Sequence, residues 1–493
     1  MNRLILPILL PLAGAIIILL LRKRPRLRAC GALLFMVASL LCSGWLYRVV
    51  IQTGQVLTFN AGGWPAPFGI TLILDPLSGI FILMAQTVMV IALLYAMGSR
   101  SAVINYPSFY TLFLTLITGL TGTFLTGDLF NLFVFAELLV ISGTMLAALS
   151  DHAYGTEAAY KYFYISLLAS TFMLLGIGSL YASYGTLNTA DLANRIVVQG
   201  PQLLLLPALA LLLVAFMIKG AIFPFHFWQP DLYMTTTTPV AAVLAAVVSK
   251  LGVYGIIRIS TLFYPAREDF LQPMLIILGL AGVIYGGLAA IGTHDLKRML
   301  AYSSMAQIGF IVIAIAWGTA ESLTAAVVFA FNHSLIKAAL IMLAGFLTSR
   351  MSQKSSSLTR LTGMGRSAPF AGILFFIASL SLAGIPLTNG FISKMLLFAS
   401  GIAAGEFWSL FTLGIASIFT LIYTMRALMR IWWQKADPGD SAVTTGDSLL
   451  APILLLCLIV LFGIYAEPIV SAGLNAADWL LEPSAYISAV IGE

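Results

Sequence analysis

Charge is scarce along this chain: only 9% of its 493 residues are Asp, Glu, Lys or Arg, whereas 60% are hydrophobic. A water-soluble fold has to clothe its surface in polar groups, so this composition excludes that class and indicates a polytopic membrane protein. Cysteine is nearly missing as well. Cys30, Cys42 and Cys457 lie in separate apolar runs without metal-ligand spacing and offer neither a disulfide framework nor an iron–sulfur site. Four histidines in different segments give no pair for a haem, so no cofactor and no metal are assigned. The basic residues are spread among loops instead of forming a stripe, and the net charge of +6 therefore marks topology rather than nucleic-acid binding.

What the chain has in abundance is long apolar runs. A helix needs about 20 apolar residues to cross the hydrocarbon, and that window gives roughly fourteen segments. They fall near 3–21, 29–50, 72–97, 107–126, 128–149, 162–184, 203–228, 239–262, 271–292, 299–317, 322–348, 369–397, 406–431 and 449–467. The runs are continuously apolar, without the alternation of a transmembrane strand, so the fold class is all-α. The first run precedes its basic cluster and shows no small-residue cleavage site, which reads as a retained helix rather than a signal peptide.

Positive charge stays on the cytoplasmic side. Placing the loop of Arg22, Lys23, Arg24, Arg26 and Arg28 inside also puts Arg100, Lys161, Lys297, Arg298, Arg350, Lys354, Arg360, Arg366, Arg426, Arg430 and Lys435 inside. Arg3, Arg48, Arg195, Arg258 and Arg267 then face outward, and both termini are extracytoplasmic.

Four lysines and one glutamate stand apart, because Glu137, Lys219, Lys250, Lys337 and Lys394 each lie inside an otherwise apolar run. An ionisable group at membrane depth costs several kcal/mol (order of magnitude) and marks function by default. Burial disfavours the charged form of each, and a nearby opposite charge restores it, so a Glu137–Lys219 pair that separates is a switch for protons. A permanent structural ion pair is the competing reading. Lys250, Lys337 and Lys394 extend the path, with His333 one helical turn before Lys337 as a further relay position. Two segments carry helix breakers beside these lysines: Lys219-Gly220 with Pro224 in the seventh, and Gly384 with Pro386 and Gly390 before Lys394 in the twelfth. Breaks at corresponding places suggest repeated halves, helices 4–8 and 9–13, whose unwound backbone lines an ion path. The implied domains are 1–106, an N-terminal three-helix segment; 107–262 and 263–435, the two repeats; and 436–493, helix 14 with an extracytoplasmic tail.

At this point the residues resemble a known family, the antiporter-like subunits shared by Mrp-type sodium/proton antiporters, respiratory complex I and membrane-bound hydrogenases. The resemblance spans about residues 70 to 430 and rests on five stretches in the family's order. These are Leu74-Asp75-Pro76-Leu77-Ser78, Phe133 through Glu137, Lys219 through Trp228 with Pro230-Asp231, Asp295 through Ser304 with Gln307-Ile308-Gly309, and Asn332 through Ala338. It implies fourteen core helices, inverted five-helix repeats, a coupling pair at Glu137 and Lys219, and relay roles for Lys250, Lys337 and Lys394. Within the family, Gly127-Asp128-Leu129-Phe130-Asn131 ahead of Glu137 is most similar to the D-type members of Mrp antiporters. The resemblance then implies partner subunits of the A, B, C, E, F and G types, a bacterial cytoplasmic membrane, and a secondary transporter subunit rather than an enzyme. An N-type pumping subunit of complex I or a hydrogenase is the alternative, and a self-sufficient transporter or channel is a third class. Whether sodium crosses here or in a partner stays open. One departure is the absence of a histidine upstream of Lys250, where Leu244-Ala245-Ala246 stand.

Other motif residues have structural readings. Asp75 before Pro76 reads as a helix cap, and so do His294 and Asp295. His226 and Trp228 read as packing at the end of the broken segment. Lys297 is either a topology signal or the mouth of the second half-channel.

Overall fold

The computed structural model describes residues 3–21, 23–150, 152–264, 270–351, 355–435 and 446–492. Arg22, Arg267 and Lys354, counted above for topology, lie outside them. The chain opens with α1 (Leu6–Leu20), α2 (Pro25–Thr53) and α3 (Pro76–Met97), with a short antiparallel pair, β1 (Leu57–Asn60) and β2 (Thr71–Leu74), ahead of α3. Next come α4 (Phe109–Leu125), α5 (Leu129–Ala148), α6 (Ala153–Tyr184), α7 (Thr189–Gln199), α8 (Leu205–Lys219), α9 (Trp228–Thr235), α10 (Thr238–Val243) and α11 (Lys250–Leu262). A second group follows: α12 (Leu271–Gly292), α13 (Leu296–Trp317), α14 (Ala320–Ser349), α15 (Pro369–Ala383), α16 (Asn389–Ala403) and α17 (Phe407–Leu428). The chain finishes with α18 (Leu450–Ile464), α19 (Glu467–Leu481) and α20 (Pro483–Ile491).

Among the described residues, 10 helical spans are long and apolar enough to cross a membrane. The pair α18 and α19 passes the same test together but bends by 76°, and α4, α8 and α15 are shorter apolar helices. Every apolar segment read from the sequence thus contains helix. Three features were not anticipated. Helix α7 lies in what reads as a loop, because its polar face and short length hide it from a hydropathy window. The stretch after residue 467 folds as α19 and α20, and α19 packs on α3, α11 and α14. Finally, the eighth segment is not one α-helix: a π-turn, Leu244–Val248, separates α10 from α11.

Local chemistry explains the starts of the central helices. Asp75 caps α3 in a reciprocal box with Ser78, and Pro76 occupies the first turn, where its missing N–H is unneeded. Asp128 and Asp295 cap α5 and α13, each accepting from the backbone N–H three residues on. The cap readings of Asp75 and Asp295 therefore hold, but Asp75 does more. Its Oδ2 also binds the Arg258 guanidinium from α11 and accepts a hydrogen bond from Trp479 Nε1 at 3.2 Å. Arg258 in turn lies over the rings of Tyr254 and Tyr486, 5.2 and 5.4 Å from their centroids. The N-terminal, central and C-terminal parts of the chain thus meet at one buried charge pair.

The centre of the bundle is formed by α10, α11, α13 and α14, whose side chains are almost all buried. Small residues let the helices close there. A Cβ on Gly252 would stand 2.3 Å from the Phe216 carbonyl oxygen and 2.6 Å from Gly220, so α8 and α11 cross with their backbones nearly touching.

Removing one partner of a buried ion pair leaves the other charge uncompensated, at a cost of about 3–5 kcal/mol. Arg258→Leu should therefore lower the thermal stability of the detergent-solubilised protein strongly, and adding Asp75→Asn should recover part of the loss. Equal melting of Arg258→Leu and the wild type would contradict this account of the anchor.

Candidate functional site

Glu137 sits on α5, just past its second turn from the Asp128 cap, and is the only carboxylate within that helix. Lys219 is the last residue of α8. Its Nζ is 3.6 Å from Glu137 Oε1, and the lysine side chain is 4% exposed against 24% for the glutamate. Ser170 on α6 stands between them: its hydroxyl donates to Glu137 Oε1 and accepts from Lys219 Nζ at 3.3 Å. The pair expected from the sequence is present, and the serine inside it was not foreseen. A small polar residue in an apolar run, with Ser166 one turn earlier, was the available signal.

The chain unwinds immediately after Lys219. Ala221 adopts a positive φ of 52°, and the next helix, α9, begins only at Trp228. Trp228 Nε1 donates to the Ile218 carbonyl at 3.2 Å and so satisfies one of the acceptors freed at the end of α8. Its packing reading is upheld. His226 stacks on Phe223 and Tyr285, also as expected of a packing residue. Asp231 on α9 receives Arg298 from α13, the Tyr154 hydroxyl at 2.9 Å and Lys161 at 3.5 Å. Lys161 and Arg298 thus meet at one carboxylate that joins the short helix after the first break to α6 and α13.

Lys250 is fully buried at the start of α11 and meets no carboxylate among the described residues; its Nζ donates to the Ala245 carbonyl at 3.3 Å and to Ser249 Oγ at 3.5 Å. The π-turn explains this environment. A π-turn shifts the backbone register by one residue and exposes carbonyls to side chains. The Leu244, Ala245 and Ala246 carbonyls accept, respectively, from Tyr233 Oη at 3.1 Å, from Lys250 Nζ, and from Ser334 Oγ at 2.6 Å. The Leu244-Ala245-Ala246 stretch that departs from the family's wording is therefore the stretch that cradles Lys250.

Helix α14 brings His333, Ser334 and Lys337 to the same place. His333 is buried within electrostatic reach of both Lys250 and Lys337, and neither ring nitrogen has a hydrogen-bond partner among the described residues. Lys337 Nζ donates to the Leu300 carbonyl at 3.1 Å and to the Ser303 hydroxyl, both on α13. From Ser303 a row of polar side chains runs on. Tyr423 Oη lies near Ser303, Gln307 and Thr420 without meeting hydrogen-bond geometry to any of them, and Gln307 Nε2 donates to Thr420 Oγ1 at 3.3 Å. Thr420 and Ser417 are one turn apart on α17, and Ser417 Oγ accepts from Lys394 Nζ at 3.0 Å. Tyr423, Gln307, Thr420 and Ser417 were missed in the sequence, because polar residues that face one another from different helices leave no common spacing.

Lys394 lies on α16, after the second break. Its Nζ also donates to the carbonyl of Ala383, the last residue of α15, at 2.8 Å, and stands 5.2 Å from the centre of the Phe310 ring. The break itself owes less to proline than expected. Gly384 and Leu387 take φ of 86° and 68°, and Pro386 sits between them in an exposed loop rather than inside a helix. A Cβ on Gly384 would stand 2.6 Å from Lys394 Cδ, and one on Gly390 only 1.8 Å from the Ser381 carbonyl oxygen. Glycine is thus required twice for the two half-helices to fold back on each other. Pro224, by contrast, lies within the first break as read from the sequence.

Asn332 and Asn389 lock that second break to α14. Asn332 Nδ2 donates to the Asn389 carbonyl at 3.1 Å and to Ser393 Oγ at 2.9 Å, while Asn389 Nδ2 donates to Asn332 Oδ1 at 3.0 Å. Lys297, the remaining site residue of the sequence reading, is 9% exposed at the start of α13. Both of its readings are compatible with that position.

The fold and this row of buried ionisable groups define a polytopic membrane protein with a charged interior. A profile described as NADH:quinone oxidoreductase/Mrp antiporter, transmembrane, matches residues 126–420, which contain Glu137, His333 and the five lysines Lys219, Lys250, Lys297, Lys337 and Lys394. The D subunit of the Na(+)/H(+) antiporter of Bacillus subtilis is 33% identical over 494 residues, covering 100% of both chains. The N subunit of the NADH-quinone oxidoreductase of Desulforudis audaxviator is 34% identical over 475 residues, covering 92% of this chain and 93% of its own. A chain in the structure of the Mrp complex from Dietzia sp. shares the fold, with a TM-score of 0.90 at 24% identity and 99% of each chain covered. The chain belongs to the NADH:quinone oxidoreductase/Mrp antiporter family.

Loss of one amide from a buried network leaves its partners unsatisfied, at about 1–3 kcal/mol each. Asn389→Leu should therefore loosen the second break, and a cysteine placed at the buried Ala383 in a background without the native cysteines should react faster with a hydrophilic thiol reagent. Unchanged labelling would show that the asparagine pair does not hold the break.

Proposed function

We propose that this chain is the proton-translocating subunit of a multisubunit sodium/proton (cation/proton) antiporter. The observation that carries the reading is the Glu137–Ser170–Lys219 cluster, a charge pair at membrane depth from which a row of buried lysines continues. The full-length likeness to the D subunit of the Bacillus subtilis Na(+)/H(+) antiporter supports it. Glu137 and Lys219 form the switch. When the pair closes, both groups are held ionised; when it opens, the lysine releases a proton more readily and the glutamate accepts one. Lys250, His333 and Lys337 carry the proton through the centre, and the polar row along α13 and α17 leads it to Lys394. Ser170, Ser303 and Ser417 contact the ammonium groups through hydroxyls, which both donate and accept and so suit a path used in steps.

In this reading the chain crosses the membrane fourteen times, with both termini extracytoplasmic, in a bacterial cytoplasmic membrane. Helices 4–8 and 9–13 are inverted repeats, and the breaks at Ala221 and at Gly384 to Leu387 are their equivalent points. The subunit acts as a secondary transporter beside membrane partners of the A, B, C, E, F and G types. A second reading, an N-type pumping subunit of complex I or a membrane-bound hydrogenase, is favoured by the 34% identity with the N subunit of NADH-quinone oxidoreductase, and it would use the same path.

Glu137→Gln in the whole complex should leave assembly intact and abolish sodium-driven proton movement in everted vesicles, a loss of about 10²-fold or more for a positioned proton-transfer group. Wild-type exchange by an assembled Glu137→Gln complex would sink the proposal. Co-purification of quinone-reducing redox subunits instead would select the second reading.

A further inference from the structure

On the outer face of the bundle, α15 and the end of α17 leave between them a groove that the proton path does not use. Its volume is about 450 Å³, and Gly372, Ile373 and Phe376 line one side while Leu428 and Trp433 line the other. The lining is apolar except at one end, where Arg366 enters it from the short turn Met364–Ser367 that precedes α15. Arg366 Nη2 donates to the Trp433 carbonyl at 2.7 Å, so the start of α15 and the end of α17 meet at this arginine. From Pro369 to Phe376 the groove follows α15 into the bundle for about 10 Å.

The inner wall is fixed by packing. Helix α17 runs into a second π-turn, Met429–Trp433, in which Trp432 is buried and Trp433 is exposed. The Trp432 ring rests on two glycines: a Cβ on Gly365 would stand 2.6 Å from it, and one on Gly372 2.5 Å. Its Nε1 donates to the Ala368 carbonyl at 3.2 Å, and Phe375 packs against it with 5.4 Å between ring centres. Phe370, Ile373, Phe376 and Trp433 remain exposed, so an open apolar surface lies beside a rigid wall.

Positive charge gathers at the same end. Arg430, within the π-turn, donates through Nε to Thr362 Oγ1 at 3.2 Å, and its carbonyl accepts from the Gly363 N–H at 3.0 Å, which ties it to the loop that carries Arg366. The exposed Lys435 follows Trp433 by two residues. None of these three cations is ion-paired with a carboxylate among the described residues. A guanidinium has five N–H donors, and one carbonyl contact leaves most of them for an anion. An apolar helix laid in the groove would cover its wall and strand those donors. A phosphodiester carrying acyl chains matches both ends, because arginine binds phosphate through paired N–H groups and tryptophan favours the depth where headgroup meets chain.

We propose that this groove binds an anionic phospholipid, with the phosphate on Arg366 and one acyl chain along α15 against Phe376 and Trp433. In the orientation proposed above this end is cytoplasmic, the side on which anionic lipids concentrate and basic pockets between helices hold their headgroups. The site requires nothing of the proton path.

The test uses the whole purified complex in detergent, supplied with phosphatidylglycerol that carries a photoactivatable group on one acyl chain, and locates the labelled peptides by mass spectrometry. Label should fall between Pro369 and Phe376 or between Leu428 and Trp433, and phosphatidylcholine with the same chain should label there more weakly. Arg366→Gln should lower the phosphatidylglycerol label about fivefold, the loss of one cation's attraction to an anionic headgroup. Arg360→Gln, which removes an exposed arginine outside the groove, should leave it unchanged. Equal labelling by the two lipids, an undiminished label in Arg366→Gln, or an equal loss in Arg360→Gln overturns the inference. So does a cysteine at Ile373 that cross-links to a partner subunit in the native membrane, which would make the groove a protein interface. Should Arg366→Gln not assemble, competition on the wild-type complex decides. Displacement of the label by unlabelled phosphatidylglycerol but not by phosphatidylcholine supports the site, and equal displacement by both overturns it.

Discussion

Three ammonium groups buried in a membrane protein, with no carboxylate beside them among the described residues, are the constraint on which the rest of this structure depends. Lys250, Lys337 and Lys394 are bound by backbone carbonyls, serine hydroxyls and one aromatic face. Such ligands stabilise a cation only partly, because they carry dipoles and no net charge, and desolvation opposes them. A permanent structural role would be better served by an ion pair of the kind seen at Asp75 and Arg258. Neutral ligands of this kind are what the proposed relay needs, because they can hold either the ammonium or the amine.

Lys250 and Lys394 find carbonyls where helices are interrupted, whereas Lys337 uses the Leu300 carbonyl near the start of α13. An intact α-helix spends its carbonyls on its own N–H groups, and at membrane depth nothing else satisfies them. The end of α8, the π-turn before Lys250 and the break after Ala383 each release acceptors, and each lies beside a lysine. Glycines do the complementary work of closing the gaps. Gly252 and Gly220 let α8 meet α11, and Gly390 lets α16 return against α15. The asparagine pair, Asn332 and Asn389, then fixes the second break against α14 with hydrogen bonds that are satisfied on both sides.

Much of this was legible beforehand, for a definite reason. A charge in a long apolar run is conspicuous, so Glu137 and the four lysines stood out, and glycine or proline beside them marked the two breaks. The caps at Asp75 and Asp295 followed from local chemistry within four residues. What stayed hidden depends on three-dimensional neighbours. Ser170, Ser303, Ser417 and Tyr423 are ordinary residues for a membrane helix until another helix brings an ionisable group to them. The π-turn at Leu244–Val248 has no composition of its own, and the partners of its freed carbonyls, Tyr233, Lys250 and Ser334, lie outside it in the sequence. Pro386 was given too large a part, because a proline says where a helix is disfavoured but not whether it causes the break or merely occupies the loop.

The central claim is that the buried lysines pass through a neutral state. Arginine at Lys394 conserves charge and can still donate to the Ala383 carbonyl and Ser417, yet a guanidinium stays protonated to above about pH 12. The decisive measurement is sodium-driven proton movement in vesicles containing the assembled complex with Lys394→Arg, alongside the wild type. The account predicts an assembled complex with exchange reduced to background; exchange at the wild-type rate would show that Lys394 supplies only a fixed charge.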